Sequence, residues 1–200
     1  GASTTAGGTP GAANSIAAAD IAPVVVNVRH FPLVPKSTEV VTVNATVIDD
    51  RGAAVSVTLH YRNDGVTTWT SVPMFDDGAH RDGAAGDRIY GAQLPAAADH
   101  TIVEFYVAAT DGTRTRTWPA PAHNNATPGT PFTAEQSQNG LYQVANAFDA
   151  DAQPQYRVIL KAADRATLAA INLGDSKDSH ARFNATFITF DGAGPELRYG

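Results

Sequence analysis

Four aspartates, Asp76, Asp77, Asp82 and Asp87, stand among glycines in the stretch DDGAHRDGAAGDRIYGA, residues 76–92, of a chain in which only 17% of residues are charged. Calcium takes six to eight oxygen ligands, and a glycine-rich loop can supply carboxylates and bare carbonyls together. Asp77, Asp82 and Asp87 recur every five residues, so the chain could curl around an ion, although this spacing is not the D-x-D-x-D-G run of an EF-hand. A second reading gives the same residues to Asx-turns and positive φ angles in a long hairpin. A third pairs the carboxylates for acid–base catalysis, which needs a cleft and a partner of shifted pKa that nothing in the loop supplies. Without a metal, four clustered carboxylates are expected to repel one another.

Other chemistries find less footing. The six histidines (His30, His60, His80, His100, His123 and His180) never fall at i, i+2 or i, i+4, and read as surface residues rather than a zinc set. Cysteine is absent, which removes disulfides, thiolate zinc sites, iron–sulfur clusters and thiol nucleophiles together. There is no G-x-S-x-G elbow, Walker loop, G-x-G-x-x-G or H-R-D. Trp69 and Trp118 could form a carbohydrate-stacking platform or pack in a core. Fourteen basic residues against 20 acidic ones give a net charge of -6, which disfavours nucleic acid as a partner. No run of about 18 apolar residues exists to form a membrane-spanning helix.

The elements that must position these residues are strands. In VVTVNATVI, Val41, Val43, Ala45 and Val47 alternate with Thr42, Asn44 and Thr46; in VSVTLHYR, Val55, Val57, Leu59 and Tyr61 alternate with Ser56, Thr58, His60 and Arg62. Such period-two patterns predict a sheet with one dry and one wet face. With PVVVNVRHF, TTWTSVPMF, RIYGAQL, TIVEFYVAAT and TRTWPAP, seven short strands fall between residues 21 and 122, separated by Gly, Asp, Pro and Asn. The expected fold is mainly β: an immunoglobulin- or fibronectin-like β-sandwich followed by a small, incomplete α+β segment.

The remainder divides by composition. Residues 1–20, rich in Ala, Gly, Ser and Thr, read as a flexible linker, and residues 123–153, rich in Asn, Pro and Gly, as a second one. Inside that second stretch LYQVA, residues 141–145, reads as a strand, and from residue 154 the pattern predicts strand (QYRVILKA), helix (DRATLAAINLG, with Asp164 capping its N-terminus and Gly174 at its exit) and strand (ARFNATFITF). The tight turn DGAG and a returning strand, ELRYG, follow. The sole Met, Met74, and the strand-like residues at the end make the chain read as a piece of a longer protein.

Three stretches carry resemblances. TPGAAN, residues 9–14, resembles the close of bacterial lamin-tail-like domains. The sandwich, with VTLHYR, the MFDDG…DG…GDRIYGAQLP loop and VEFYVAATDG, resembles an accessory Ig-like module of large bacterial surface proteins. The usual loop pattern of that module ends GDGxY, whereas here Arg88 stands where a glycine is usual and could pair with a neighbouring carboxylate. Residues 154–200, PQYRVILKAADRATL to FNATFITFDGAGPELRYG, resemble the start of the spore-coat CotH kinase family. That family uses ATP and a divalent metal, through residues further along than Gly200, so no catalytic or cofactor-binding residue is expected in this chain.

The expectation is therefore a non-catalytic spacer or interaction module of a larger secreted or surface bacterial protein. Its partners would be other domains of the same parent chain, a surface protein or a glycan. The competing readings are an atypical kinase, completed by residues beyond this chain, and a carbohydrate-binding module using Trp69, Trp118 and the acidic loop. Calcium at Asp76, Asp77, Asp82 and Asp87 is the one cofactor considered, with Arg88 favouring a metal-free loop.

Overall fold

The computed structural model describes residues 20–52, 54–124, 133–148, 154–171, 182–190 and 195–199. TPGAAN, Gly174, His180, the DGAG turn and all but the last residue of the linker 1–20 lie outside the described residues. The seven expected strands are present: β1 (Val24–Phe31), β2 (Val41–Ile48), β3 (Ser56–Asn63), β4 (Thr70–Met74), β5 (Ile89–Leu94), β6 (Ile102–Thr110) and β7 (Thr115–Trp118). They form two antiparallel sheets, β1-β2-β5 and a larger one built on β6-β3-β4. The fold is an immunoglobulin-like β-sandwich.

The alternation read from the sequence becomes the core. Val41, Val43, Ala45 and Val47 are buried to 2% exposure or less, and they meet Val57, Leu59, Phe105 and Val107 of the facing sheet. Strand β1 keeps the same logic through a bulge. Its register slips between Val26 and Arg29, where Asn27 takes a φ of 53°. The extra residue lets Val25 and Val28, three apart, both point inward, and leaves Arg29 and Phe31 facing out around buried His30.

The single wet face does not hold for the first sheet. Thr42 is only 3% exposed, because the outer side of β1 and β2 is overhung by Arg81 of the acidic loop and by Leu197 and Arg198 near the C-terminus.

Beyond the sandwich come β8 (Ala122–Asn124) and β9 (Thr133–Glu135), which pair with each other, then β10 (Gly140–Gln143). β10 falls on the expected strand LYQVA, inside the residues assigned to the linker 123–153, and pairs with the first half of β6 while β7 pairs with the second half. Both short strands thus share one edge of a nine-residue strand. Their approach is close: a Cβ on Gly140 would lie 2.7 Å from the Phe105 ring, so only glycine fits there.

The segment after residue 154 has the expected order, β11 (Gln155–Ile159), α1 (Ala162–Ile171), β12 (Thr186–Phe190) and β13 (Pro195–Tyr199), with β12 central in an antiparallel sheet. The helix starts two residues earlier than predicted, so Asp164 lies in its first turn instead of capping it. The cap comes from the sandwich: Asp64 accepts the Ala162 N–H at 2.6 Å. A carboxylate at that end also complements the helix dipole.

A second apolar cluster, Ile102, Leu141, Ile159 and Ile188, seals this sheet against the sandwich, with Leu33, Val34, Phe190 and Leu197 around it. Leu141 N–H donates to the buried Thr186 hydroxyl at 3.0 Å, and the Asn184 side-chain amide donates to the Asn139 carbonyl at 2.9 Å.

Candidate functional site

The acidic loop joins β4 to β5, and it folds back on the sheet. Phe75 and Gly91 exchange both backbone hydrogen bonds, at 3.0 and 2.8 Å. Gly91 is needed there, because a Cβ would lie 2.5 Å from the His80 carbonyl oxygen and 3.1 Å from the Asp82 Cβ. The loop lies directly on that strand, and the Asn44 side chain holds it down by donating to the Arg81 carbonyl.

The four aspartates come together in one loop, but each serves a separate turn. Asp76 accepts the N–H groups of Gly86, Asp87 and Arg88 at 2.8–3.1 Å. Asp82, fully buried, accepts those of Asp77, Gly78 and His80 at 2.6–3.0 Å. Asp87 takes Ala84 and Ile89, both at 2.9 Å, and Asp77 takes Ala79 at 2.9 Å and the His80 ring at 2.9 Å.

Nine backbone donors therefore face these carboxylates. That is the physical reason the expected repulsion is tolerated: N–H dipoles supply the positive potential. The consequence is legible in acidity. The His80 hydrogen bond, with that of Ala79, holds Asp77 below the usual carboxylate range. Burial pushes Asp82 up, but its N–H donors outweigh this and hold it low as well.

Arg88 contributes differently from the expectation. Among the described residues no ion pair reaches its guanidinium. Its backbone does the binding, donating to Asp76 and accepting from Val47 at 2.9 Å, with φ at 71°. That left-handed backbone is one that glycine adopts without steric cost and arginine does not. Among the described residues no group of three or more His, Asp or Glu is arranged to hold a metal.

The tryptophans do not share a platform. Trp69 carries the Arg62 guanidinium 4.2 Å from its ring centroid and meets Tyr106 edge-on, and Tyr106 in turn stacks on His60. Trp118 packs among Phe105 and Tyr199 at the rim of the core. His30, expected at the surface, is 1% exposed: its Nε2 faces the Leu33 carbonyl at 3.1 Å, and the Tyr199 hydroxyl faces Nδ1. Burial, opposed by the Leu33 hydrogen bond, lowers its pKa to about 4.

Glu104 escaped sequence reading because its partners are remote. At 1% exposure it accepts from Arg62 Nε at 2.8 Å, the Asn139 amide at 2.8 Å and Lys161 Nζ at 3.3 Å. Burial raises its pKa, but the Arg62 and Asn139 hydrogen bonds and the charge of Lys161 hold it below the usual value. By alternation Glu104 stands on the face opposite Val103, Phe105 and Val107, so the strand IVEFYVAAT marks it as an outward residue and gives no sign of its burial.

Residues 33–101 match the family model of the conditioned medium factor 2nd Ig-like domain, a span that runs from the end of β1 to the threshold of β6 and includes the whole acidic loop. No curated protein matches the chain. The matched region is similar to an Ig-like domain that serves as one module of a larger protein, in agreement with the sandwich and with a structural or interaction role.

Proposed function

We propose that the chain is a non-catalytic spacer and interaction module of a secreted or surface bacterial protein, and that the sandwich holds a CotH-like kinase domain in a fixed orientation. The observation that supports this most is the joint between the sandwich and the segment from residue 154. Glu104 binds Arg62 of the sandwich and Lys161 of the segment, Asp64 caps α1, and Tyr199 reaches the core aromatics Phe105 and Trp118. A freely jointed linker needs none of these contacts, whereas a positioning module needs them all.

The acidic loop lends no support to catalysis: hydrogen-bond donors hold Asp77 and Asp82 below the usual carboxylate range, which makes them weak general bases near neutral pH. The same hydrogen bonds support a metal-free loop. A carbohydrate platform requires an open aromatic face, and Trp69 already carries Arg62 on its ring.

The test is hydrogen exchange on the chain with and without the Glu104→Ala change, alongside ATP titration with magnesium. The positioning reading expects amides of β12 and of β6 to share one protection level in the wild type, and those of β12 to open selectively in the variant. Saturable ATP binding with turnover by this chain would overturn the non-catalytic reading. Protection of β12 that is already at the level of exposed loops in the wild type would overturn the positioning role.

A further inference from the structure

On the outer side of β1 and β2 lies a cavity of about 720 Å³, within the range that holds small organic ligands. Three arginines line it, and they come from three distant parts of the chain: Arg29 on β1, Arg81 in the acidic loop and Arg198 on β13. Among the described residues no aspartate or glutamate lines it. In a chain with 14 basic and 20 acidic residues, three arginines around one hollow, with no acid among its described lining residues, is a local reversal of charge. Among the described residues, no ion pair engages Arg29 or Arg81.

The floor supplies a second, independent sign. Thr42 lines the cavity, is 3% exposed, and its hydroxyl has no hydrogen-bond partner among the described residues. A buried hydroxyl without a partner costs free energy that a ligand acceptor would restore. Backbone register sets the donors side by side: Thr42 is paired with Phe31, and Asn44 with Arg29. The β1 bulge is what turns Arg29 and Phe31 to this face. Arg81 holds a side chain at φ 56°, where neighbouring turns of the loop use glycine at Gly78 and Gly83.

The walls are apolar. Phe31 is 62% exposed beside the arginines, and Leu33 and Leu197 complete that side. Guanidinium groups recognise oxyanions through paired N–H donors, and an aromatic or aliphatic wall selects what the anion is attached to. We infer that this cavity binds an organic oxyanion, a carboxylate, sulfate or phosphate carried on an apolar body, with Arg29 and Arg81 as charge partners and Thr42 as donor. The inference shares with the spacer reading the docking of β13, through Leu197 and Arg198, but its test reads anion binding and not the Glu104 and Asp64 contacts.

The experiment is a titration of the full chain at low ionic strength with phenyl phosphate, phenyl sulfate and benzoate, followed by amide chemical shifts. Benzamide serves as the neutral control and inorganic phosphate as the anion without a body. Saturable shifts at Thr42, Asn44 and Arg81 are expected for at least one aromatic anion, with none for benzamide. Arg29→Gln and Arg81→Gln should each weaken binding by about tenfold, as loss of one charge-assisted contact implies. Thr42→Val should weaken it several-fold with the fold intact, and Arg114→Gln, remote from the cavity, should leave it unchanged.

Binding should also fall as salt rises. Inorganic phosphate bound as tightly as phenyl phosphate would overturn the organic part of the inference. An absence of saturable shifts for all three anions, or binding indifferent to the Arg29→Gln/Arg81→Gln pair, would overturn the site itself.

Discussion

His30 makes the stability of this protein depend on pH in a window where most carboxylates are silent. Its ring is buried between the sheets, stacked on Tyr142 at 5.3 Å, with Tyr199 and Leu33 as hydrogen-bond partners. Burial holds its pKa at about 4 against an ordinary 6.5. Between those values the unfolded chain binds a proton that the folded chain refuses, so stability rises with pH across the window. Lowering the pH from about 7.5 to 5 should cost about 2 kcal/mol through this group, and the loss should level off near 3 kcal/mol below pH 4. With a urea slope near 2 kcal/mol/M, the midpoint should fall by about 1 M.

His60, half-buried and also lowered by desolvation, adds a smaller effect of the same sign. Glu104 and Asp82, held low, lose their contributions only as the pH drops below the ordinary carboxylate range, so the windows separate. The assay is urea unfolding at pH 7.5 and 5 for the wild type and for His30→Gln, which keeps an amide acceptor and donor in the same space. The variant is less stable at pH 7.5 but should lose roughly 2 kcal/mol less on acidification. An equal pH slope in both proteins, or a His30 ring signal that titrates near 6.5 in the folded state, would refute the reasoning.

Other outcomes follow from single contacts. Asp82→Asn puts an N–H₂ group among three backbone donors in a fully buried spot and should lower stability by about 2 kcal/mol, read by thermal or urea unfolding. Gly91→Ala drives a methyl into the His80 carbonyl and should cost about 1–3 kcal/mol, with amide shifts confined to residues 76–92. Asp64→Ala removes the cap of α1, should cost about 1 kcal/mol, and should speed hydrogen exchange at residues 162–165 while leaving β2 and β6 unaffected. Calcium at millimolar concentration, added to a chelated sample, should leave the melting temperature unchanged. An ion bound at a hundredfold excess over its Kd would add about 2.7 kcal/mol, which calorimetry would not miss.

What could be read beforehand divides along a physical line. Burial along a strand is periodic and local, so Val41, Val43, Ala45 and Val47 announced their face, and seven strands could be located without knowing which would pair. The capping of α1 could not be read, because the acceptor, Asp64, lies 98 residues before Ala162. Glu104 likewise meets Arg62, Asn139 and Lys161 across separations of 42, 35 and 57 residues, and no periodicity records such a meeting. LYQVA, within residues 123–153, could be read as a strand from its own residues, but its pairing with the first half of β6 could not.

The acidic loop is the instructive middle case. Composition showed that carboxylates and glycines would be close, yet whether the oxygens turn toward a shared ion or toward separate N–H groups depends on the sign of φ at each turn. Gly78, Gly83 and Gly86 have positive φ, as glycine permits, but so do Arg81 and Arg88, which nothing in their side chains foretells. With those five positions left-handed, backbone N–H groups curl inward on Asp76, Asp82 and Asp87. The same turn at Arg81 sets that residue over Thr42 and Asn44 at the edge of the cavity. A loop whose acids are satisfied internally can hold a cation-lined hollow beside it, since the anionic charge is already spoken for by N–H dipoles. The internal hydrogen bonding of the aspartates and the placing of Arg81 at the cavity edge are thus two results of one backbone path.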